Sequence, residues 1–559
     1  MERQRYQKTR YTVQDVVNFV LEPGSESDLS ELSESSDDEN EVRQPIIDCD
    51  DEEETDNEKI CPGKDQDISN FERVSKKKKP HEFRWRSTKP QPISAEFMGE
   101  NFALAPDNFT ELTPFDYFSQ FWTKEITELI VEQTNLYSTQ LSGKSIITSI
   151  NEMEQFMGMQ MLMGILKLPN YPLYWMNEIR INTIADVMPI NRYKALRRYL
   201  HVVDNSKKDE ADNKNDKLFK IRPILEMVRD NCLKIEPEPV HSIDEQIIHA
   251  KTKHSGIRQY NPKKPHKWGF KMFVRSGSSG IIYDFFLYCG AKSSGRENCS
   301  AENVVLRLAE QIPKNLNFKL CFDNWFCTLS LCLKLKEIDI LTTATIRTNR
   351  IAKCPLLSEK DLKKQGQGSF FYKIDANSGL LLLRWFDNKC VHMTSTYCSA
   401  NASDNVKRWD QKNRKYIQVP CPEVVKEYNS GMGGVDLADM LISLYRIPMK
   451  TKRWYLRVLV HCMDICKINA WLLYRRHANQ LNISQRSQLN LLQFSSQIAN
   501  ALIMKSKRVD RPIGRPIKKL STNSDLTETR GRKVQVPTPQ NDIRYDEFGH
   551  WPNPQTNKN

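Results

Sequence analysis

No C-x-x-C pair occurs among the 14 cysteines, so the chain shows no signature of a zinc ribbon and nothing that reads as a disulfide framework. Long apolar runs are missing as well. The longest mostly apolar stretch, 156–166, is too short to cross a bilayer, and the apolar segment around Val458 is interrupted by Arg457, His461, Asp464 and Lys467. The start, MERQRYQKTR, is polar and lacks signal-peptide character. These absences point to a soluble intracellular protein with no membrane partner. Cys462 and Cys466, four apart on one helix face, are assigned to the core.

Basic residues are nearly missing from 22–58, which holds 17 acidic residues and Arg43 alone on the other side. With that segment at −16 and the whole chain at +12, the remainder carries +28. A body that basic calls for a polyanionic partner, and nucleic acid is the commonest one. At 559 residues there is material for about three domains.

Along the chain, YTVQDVVNFVLEPG reads as a short amphipathic helix stopped by Pro23-Gly24. The acidic, serine-rich segment after it cannot bury enough apolar surface to offset its ordering entropy. SKKKKPHEFRWR (75–86) then reverses the charge and reads either as a solvated linker or as a nuclear import signal. Order is expected from LTPFDYFSQFWTKEITELIVEQTN onward, with Thr113 capping, Pro114 at the first helical position and apolar residues at helical spacing. An all-helical stretch should fill 112–235. From VHSIDEQIIHA the texture becomes strands with intervening helices: a hairpin turning at 277–280, the strand FKLCFD, and the strand LTTATIR. That is an α/β layout with one mixed sheet. Residues 348–420 read as a separate, mostly β insertion, with a hairpin across Asn377-Ser378-Gly379 and CVHMTST as a third strand. The long helix WYLRVLVHCMDICKINAWLLYRR follows, and from about Lys505 the chain is basic and rich in Pro, Ser and Thr.

Three carboxylates fall where strands or helices begin or end. Asp244 lies in the first strand, Asp323 leaves the strand KLCFD, and Asp436 follows a glycine pair in GMGGVDLADML, with Asp439 three residues on along one helical face. Gly433 and Gly434 would let that backbone approach the sheet edge. If the two strands are neighbours, the carboxylates make a hard-oxygen cation site of the kind that serves in-line attack on phosphodiesters. Singly, each aspartate reads equally as a turn former, an N-cap or a solvated charge.

SIDEQI, CFDNWF and YNSGMGGVDLADM followed by KTKRW, in this order and with these gaps, resemble the piggyBac transposase family. RQYNPKKPHKWGFK, ATIRTNR, RWFDNKCVHMTST and RYDEFGHWPNP add to the likeness, which covers roughly 112–551. The resemblance implies an α/β ribonuclease-H-like catalytic core with a mostly β insertion, flanked by an all-α dimerisation and DNA-binding domain, with a disordered acidic N-terminus and a basic tail. The domain layout it gives is 1–110 N-terminal region, 111–239 helical domain, 240–347 core, 348–422 insertion, 423–445 core, 446–505 helical domain, 506–559 tail.

It further implies an acidic triad at Asp244, Asp323 and Asp436 with Asp439 as an additional aspartate, two divalent metal ions of the Mg²⁺ kind on the triad, double-stranded DNA with TTAA target sites as partner, a homodimer, and a nuclear location. DNA contacts are expected at Lys263, Lys264, Lys267, Lys271, Arg347, Arg350, Lys450, Lys452, Arg453, Trp454 and, in RPIGRPIKK of the tail, Arg515, with Trp268 a further stacking candidate. Many family members end in a cysteine-rich zinc segment; this chain has no cysteine after Cys466, so no zinc is expected. The resulting expectation is a DNA transposase, or a domesticated derivative, that cleaves and transfers strands. The alternatives are a catalytically silent chromatin-binding protein and a structure-selective nuclease without strand joining.

Overall fold

The computed structural model describes residues 81–87, 95–99, 104–210, 213–250, 256–261, 267–290, 300–410 and 414–504. Lys263, Lys264, Arg515, the acidic segment and the basic tail lie outside them.

Strand β1 (Trp85–Arg86) precedes a helical stretch made of α1 (Pro114–Phe121), α2 (Lys124–Ser142), α3 (Ile150–Ile165), α4 (Asn182–Ala185), α5 (Ile190–Tyr199) and α6 (Arg222–Leu233). As the sequence indicates, Thr113 caps α1: its side chain accepts from the Asp116 N–H while Asp116 accepts from the Thr113 N–H, and Pro114 occupies the first turn. The expected single helix breaks at Thr123, whose extended backbone (φ −75°, ψ 167°) starts α2.

Next come β2 (Val240–His249), β3 (Arg258–Tyr260), β4 (Trp268–Gly277), β5 (Ile282–Leu287), α7 (Ala301–Ala309), β6 (Lys319–Phe322), α8 (Leu329–Lys336) and β7 (Leu341–Thr345). The chain continues with α9 (Glu359–Lys364), β8 (Phe370–Asp375), β9 (Leu381–Phe386), β10 (Cys390–Ser395), β11 (Ala402–Asp410) and β12 (Lys415–Pro422). The described residues end with α10 (Glu423–Gly431), α11 (Gly434–Leu444), α12 (Trp454–Gln480) and α13 (Leu491–Met504).

One sheet organises these elements. Its order is β1-β8-β9-β10-β7-β6-β2-β4-β3, with β5 also on β4. β2, β6 and β7 run parallel, joined through α7 and α8, while β4 and β5 form the antiparallel hairpin read from the sequence. This mixed arrangement agrees with the expected ribonuclease-H-like core.

The insertion departs from expectation. It is mostly β, but β8, β9 and β10 do not form a separate sheet: β10 pairs antiparallel with β7, Thr394 opposite Ala344, and extends the main sheet. The outer edge of β7 would otherwise leave a row of unpaired backbone groups, and β10 satisfies them. β1, from the segment expected to lack structure, adds to β8, where Asp375 accepts from the Arg84 N–H at 2.7 Å and sits 2.8 Å from His81 Nε2. Among the described residues, only β11 and β12 stand apart as a two-stranded ribbon.

The two faces of the sheet are covered differently. Ile243, Phe273, Leu320, Phe322 and Ala344 point to one side and pack on Val305, Leu308, Leu331 and Leu335 of α7 and α8. On the other side Phe270, Met272, Val274 and Ile282 join a continuous apolar cluster with α1, α3, α6, α11, α12 and α13. The two helical segments therefore meet each other, at Gly158, where an added Cβ would lie 2.7 Å from Ala499 O, and they meet the sheet as well. Asn469 of α12 brackets Ile282 of β5, accepting from its N–H at 2.9 Å and donating to its carbonyl at 2.7 Å. Fully buried Asp284 accepts from Arg229 Nε and Nη2, at 2.6 and 3.1 Å. Cys462 and Cys466 are in the core as expected. Among the described residues no helix is long and apolar enough to cross a membrane.

Candidate active site

Strand alternation places Ser242, Asp244 and Gln246 on the face of β2 opposite Ile243. The parallel register pairs Ile243 with Phe322, so Asp244 and Asp323 each stand one residue beyond the last matched pair on neighbouring strands. Adjacent strands lie about 4.8 Å apart, which makes the two aspartates side-by-side neighbours at one end of the sheet. β7 adds Thr345 at the same level, and its hydroxyl donates to Asp323 Oδ1 at 2.9 Å.

The glycine-rich segment sits on this face. A Cβ on Gly431 would come within 2.6 Å of Cys321 Sγ, and one on Gly434 within 2.2 Å of Gly277 O and 3.0 Å of Ser242 Oγ. Gly434 is thus the residue that lets α11 lie against β2 and β4, whereas Gly433, expected to share that role, has nothing within 4 Å. From this junction α11 runs over β2: Gln246 Nε2 donates to Asp439 Oδ1 at 3.1 Å, and His461 Nε2 of α12 lies 3.0 Å from Gln246 Oε1. Arg446 is 3.6 Å from the same Asp439 oxygen. Burial, with the Arg446 charge adding, pushes the His461 imidazole down to about 3, so it is neutral at physiological pH.

On the opposite flank α10 brings Tyr428 over the pair. Its phenol is raised by burial and further by the charges of Asp323 and Asp244, against a lowering hydrogen bond with Thr345, and it remains protonated. Gln246, Tyr428, Thr345 and His461 were not among the sequence candidates. The signal for the first three lay inside the quoted motifs, as SIDEQ, YNSGMGG and ATIR.

The structure brings Asp244 and Asp323 together and sets α11, with Asp436 and Asp439, beside them. It does not gather them further: among the described residues no three His, Cys, Asp or Glu side chains are grouped closely enough to hold a metal ion. The carboxylates take local donors instead. Asp244 accepts from the Glu245 N–H at 2.8 Å and Asp323 from the Asn324 N–H at 2.5 Å, while Asp436 is exposed in the first turn of α11. The donor chemistry nevertheless fits a hard divalent cation, since every acidic group at this end of the sheet offers carboxylate oxygen and no thiolate.

The basic candidates divide. Lys267, Arg347, Lys450 and Lys452 are exposed. Lys271 lies over the rings of Phe273 and Trp325, 4.9 and 4.6 Å from their centroids. Arg350 donates to the carbonyls of Asn324, Trp325 and Cys327 at 3.4, 3.0 and 3.1 Å, fixing the turn after Asp323. Arg453 donates to the carbonyls of Arg198, Leu200 and Arg197 at 2.9, 3.1 and 2.5 Å, closing the C-terminal end of α5. Trp454 packs edge-on to Phe270 at 5.8 Å, and Trp268 lies 4.0 Å below Arg258.

A family model described as transposase IS4 matches residues 113–471, more than half of the chain. The chain is 31% identical over 395 residues to the human (Homo sapiens) piggyBac transposable element-derived protein 3, the alignment covering 69% of this chain and 65% of that protein. To the human piggyBac transposable element-derived protein 2 it is 26% identical over 448 residues, covering 79% and 70%. Among solved structures, a piggyBac transposase synaptic complex with hairpin DNA superposes with a TM-score of 0.63 at 21% identity, covering 77% of this chain and 91% of that one, a likeness of fold. These matches place the chain in the family of piggyBac-type transposases and the proteins derived from them.

Proposed function

We propose that this protein binds double-stranded DNA in the nucleus as a homodimer and performs metal-dependent strand cleavage and transfer at TTAA sites, with Asp244, Asp323 and Asp436 as the acidic triad. The observation that carries this reading is the placement of Asp244 and Asp323 one step past a shared register pair, under the helix that bears Asp436 and Asp439. That the solved neighbour is a synaptic complex with hairpin DNA supports DNA as the partner.

Asp244 and Asp323, with Asp436 from α11, would hold two Mg²⁺ ions. When bound, such a pair activates the attacking oxygen and stabilises the leaving one. The protein's own groups prepare that site. Thr345 orients the Asp323 carboxylate, Arg350 holds the turn behind it, and Gly434 keeps α11 close to the sheet. The exposed Lys267, Arg347, Lys450 and Lys452 would take phosphates without reading sequence.

A second reading, a catalytically silent derivative that sits on chromatin, is favoured by one observation: the described carboxylates accept local hydrogen bonds and are not grouped as a metal site. Strand cleavage in Mg²⁺ on DNA with terminal repeats beside TTAA, comparing wild type with Asp323→Ala, separates the two. Cleavage at the TTAA junction that the variant loses supports the transposase reading. DNA binding with no metal-dependent cleavage in either protein supports the silent one.

A further inference from the structure

We propose that Gln246 and His461 are positioning residues which, as a buried relay, fix Asp439 and with it the first turn of α11 bearing Asp436 over β2. The inference rests on the metal-dependent reading above and concerns how its third carboxylate is held in place.

The hydrogen-bond directions follow from chemistry. An ionised carboxylate only accepts, so the nitrogen of the Gln246 amide must face Asp439 and its oxygen must face His461. His461 therefore donates from Nε2. The chain of donors runs from α12 through β2 to α11, at 3.0 and then 3.1 Å. Both interior members are buried, Gln246 at 1% and His461 at 5% exposure. A polar amide in that position is costly unless both of its ends are satisfied, and here one end is satisfied by the helical layer and the other by the aspartate helix.

The placement matters because Gln246 is the next residue after Asp244 on the same face of β2. This hydrogen bond thus ties the strand carrying Asp244 to the helix carrying Asp436, beside the close contact at Gly434. The exposed Lys452 lies two residues before α12, and the first residue of that helix, Trp454, is two turns upstream of His461. Arg446 Nη2, 3.6 Å from the same Asp439 oxygen, adds an ion pair to this contact.

The test uses the full chain and Mn²⁺, with free Mn²⁺ read by electron paramagnetic resonance, thermal unfolding beside it, and DNA affinity as a control. In the Gln246→Met/His461→Phe double variant both partners become apolar, so no buried donor is orphaned and the melting temperature should stay near that of wild type. Mn²⁺ affinity should fall by about 10-fold to 100-fold, as for other groups that orient metal ligands, with DNA affinity unchanged. A second comparison does not depend on that double variant. His461→Gln keeps an N–H donor and should retain Mn²⁺ affinity, whereas His461→Phe should lower it. Wild-type Mn²⁺ affinity in the double variant, or equal affinities for His461→Gln and His461→Phe, overturns the relay alone. If wild type itself takes up no Mn²⁺, the metal-dependent reading falls and the relay falls with it.

Discussion

Asp244 and Asp323 are neighbours across a parallel strand pair, each one residue past the matched residues Ile243 and Phe322. The 78 residues between them include a hairpin and a helix, yet the register brings the two carboxylates to the same level of one sheet face. Placing them needs no loop to fold in a special way. It needs only that β2 and β6 pair, and Val240↔Lys319 through Ile243↔Phe322 fixes that pairing because a one-residue slip would send Ile243 to the opposite face from its apolar partners.

The glycine pair before Asp436 yields an asymmetric prediction. Gly434→Ala drives a Cβ to 2.2 Å from Gly277 O, so α11 must lift off the sheet, whereas Gly433→Ala meets nothing within 4 Å. Gly434→Ala should cost about 1–3 kcal/mol in chemical denaturation and abolish the strand cleavage proposed above. Gly433→Ala should be near neutral in both.

The strands β2 and β6 were legible because their short apolar-rich runs read as strands, and their parallel register sets where Asp244 and Asp323 stand. The capping box at Thr113 and the hairpin over 277–280 were legible because their signals are local. The pairing of β10 with β7 was not, because which edge a strand joins is decided by tertiary packing. Arg350 and Arg453 read as DNA contacts because nothing in a sequence shows which carbonyls a helix end or turn leaves open.

That distinction gives a second prediction. Lys452 is exposed, and Lys452→Ala should weaken DNA binding, lower the salt slope by about 1 and leave the melting temperature unchanged. Arg453→Ala removes donors from three backbone carbonyls at the end of α5 and should cost about 1–3 kcal/mol of stability. Denaturation and DNA titration at several salt concentrations on the same two proteins check both.

Buried histidines predict a pH dependence. Burial lowers His201 to about 4 and His461 to about 3, from an ordinary 6.5, while hydrogen bonding by Asn205 works against the shift in His201. Between the folded and unfolded values the unfolded chain binds more protons. Stability from these groups is therefore complete above about pH 6.5 and is lost as the pH falls towards the folded values. Each group should cost about 1.4 kcal/mol per pH unit in that window. Urea unfolding at pH 7, 6 and 5 should show the decline, and His201→Gln should flatten part of it.

The most direct measurement is crystallographic: Mn²⁺ soaked into crystals of the protein, with anomalous difference density used to locate the ion. The account predicts a peak between the carboxylates of Asp244 and Asp323, with Asp436 drawn in from the first turn of α11. Well-ordered Asp244 and Asp323 with no anomalous peak near them, at Mn²⁺ concentrations that saturate the protein in solution, would contradict it.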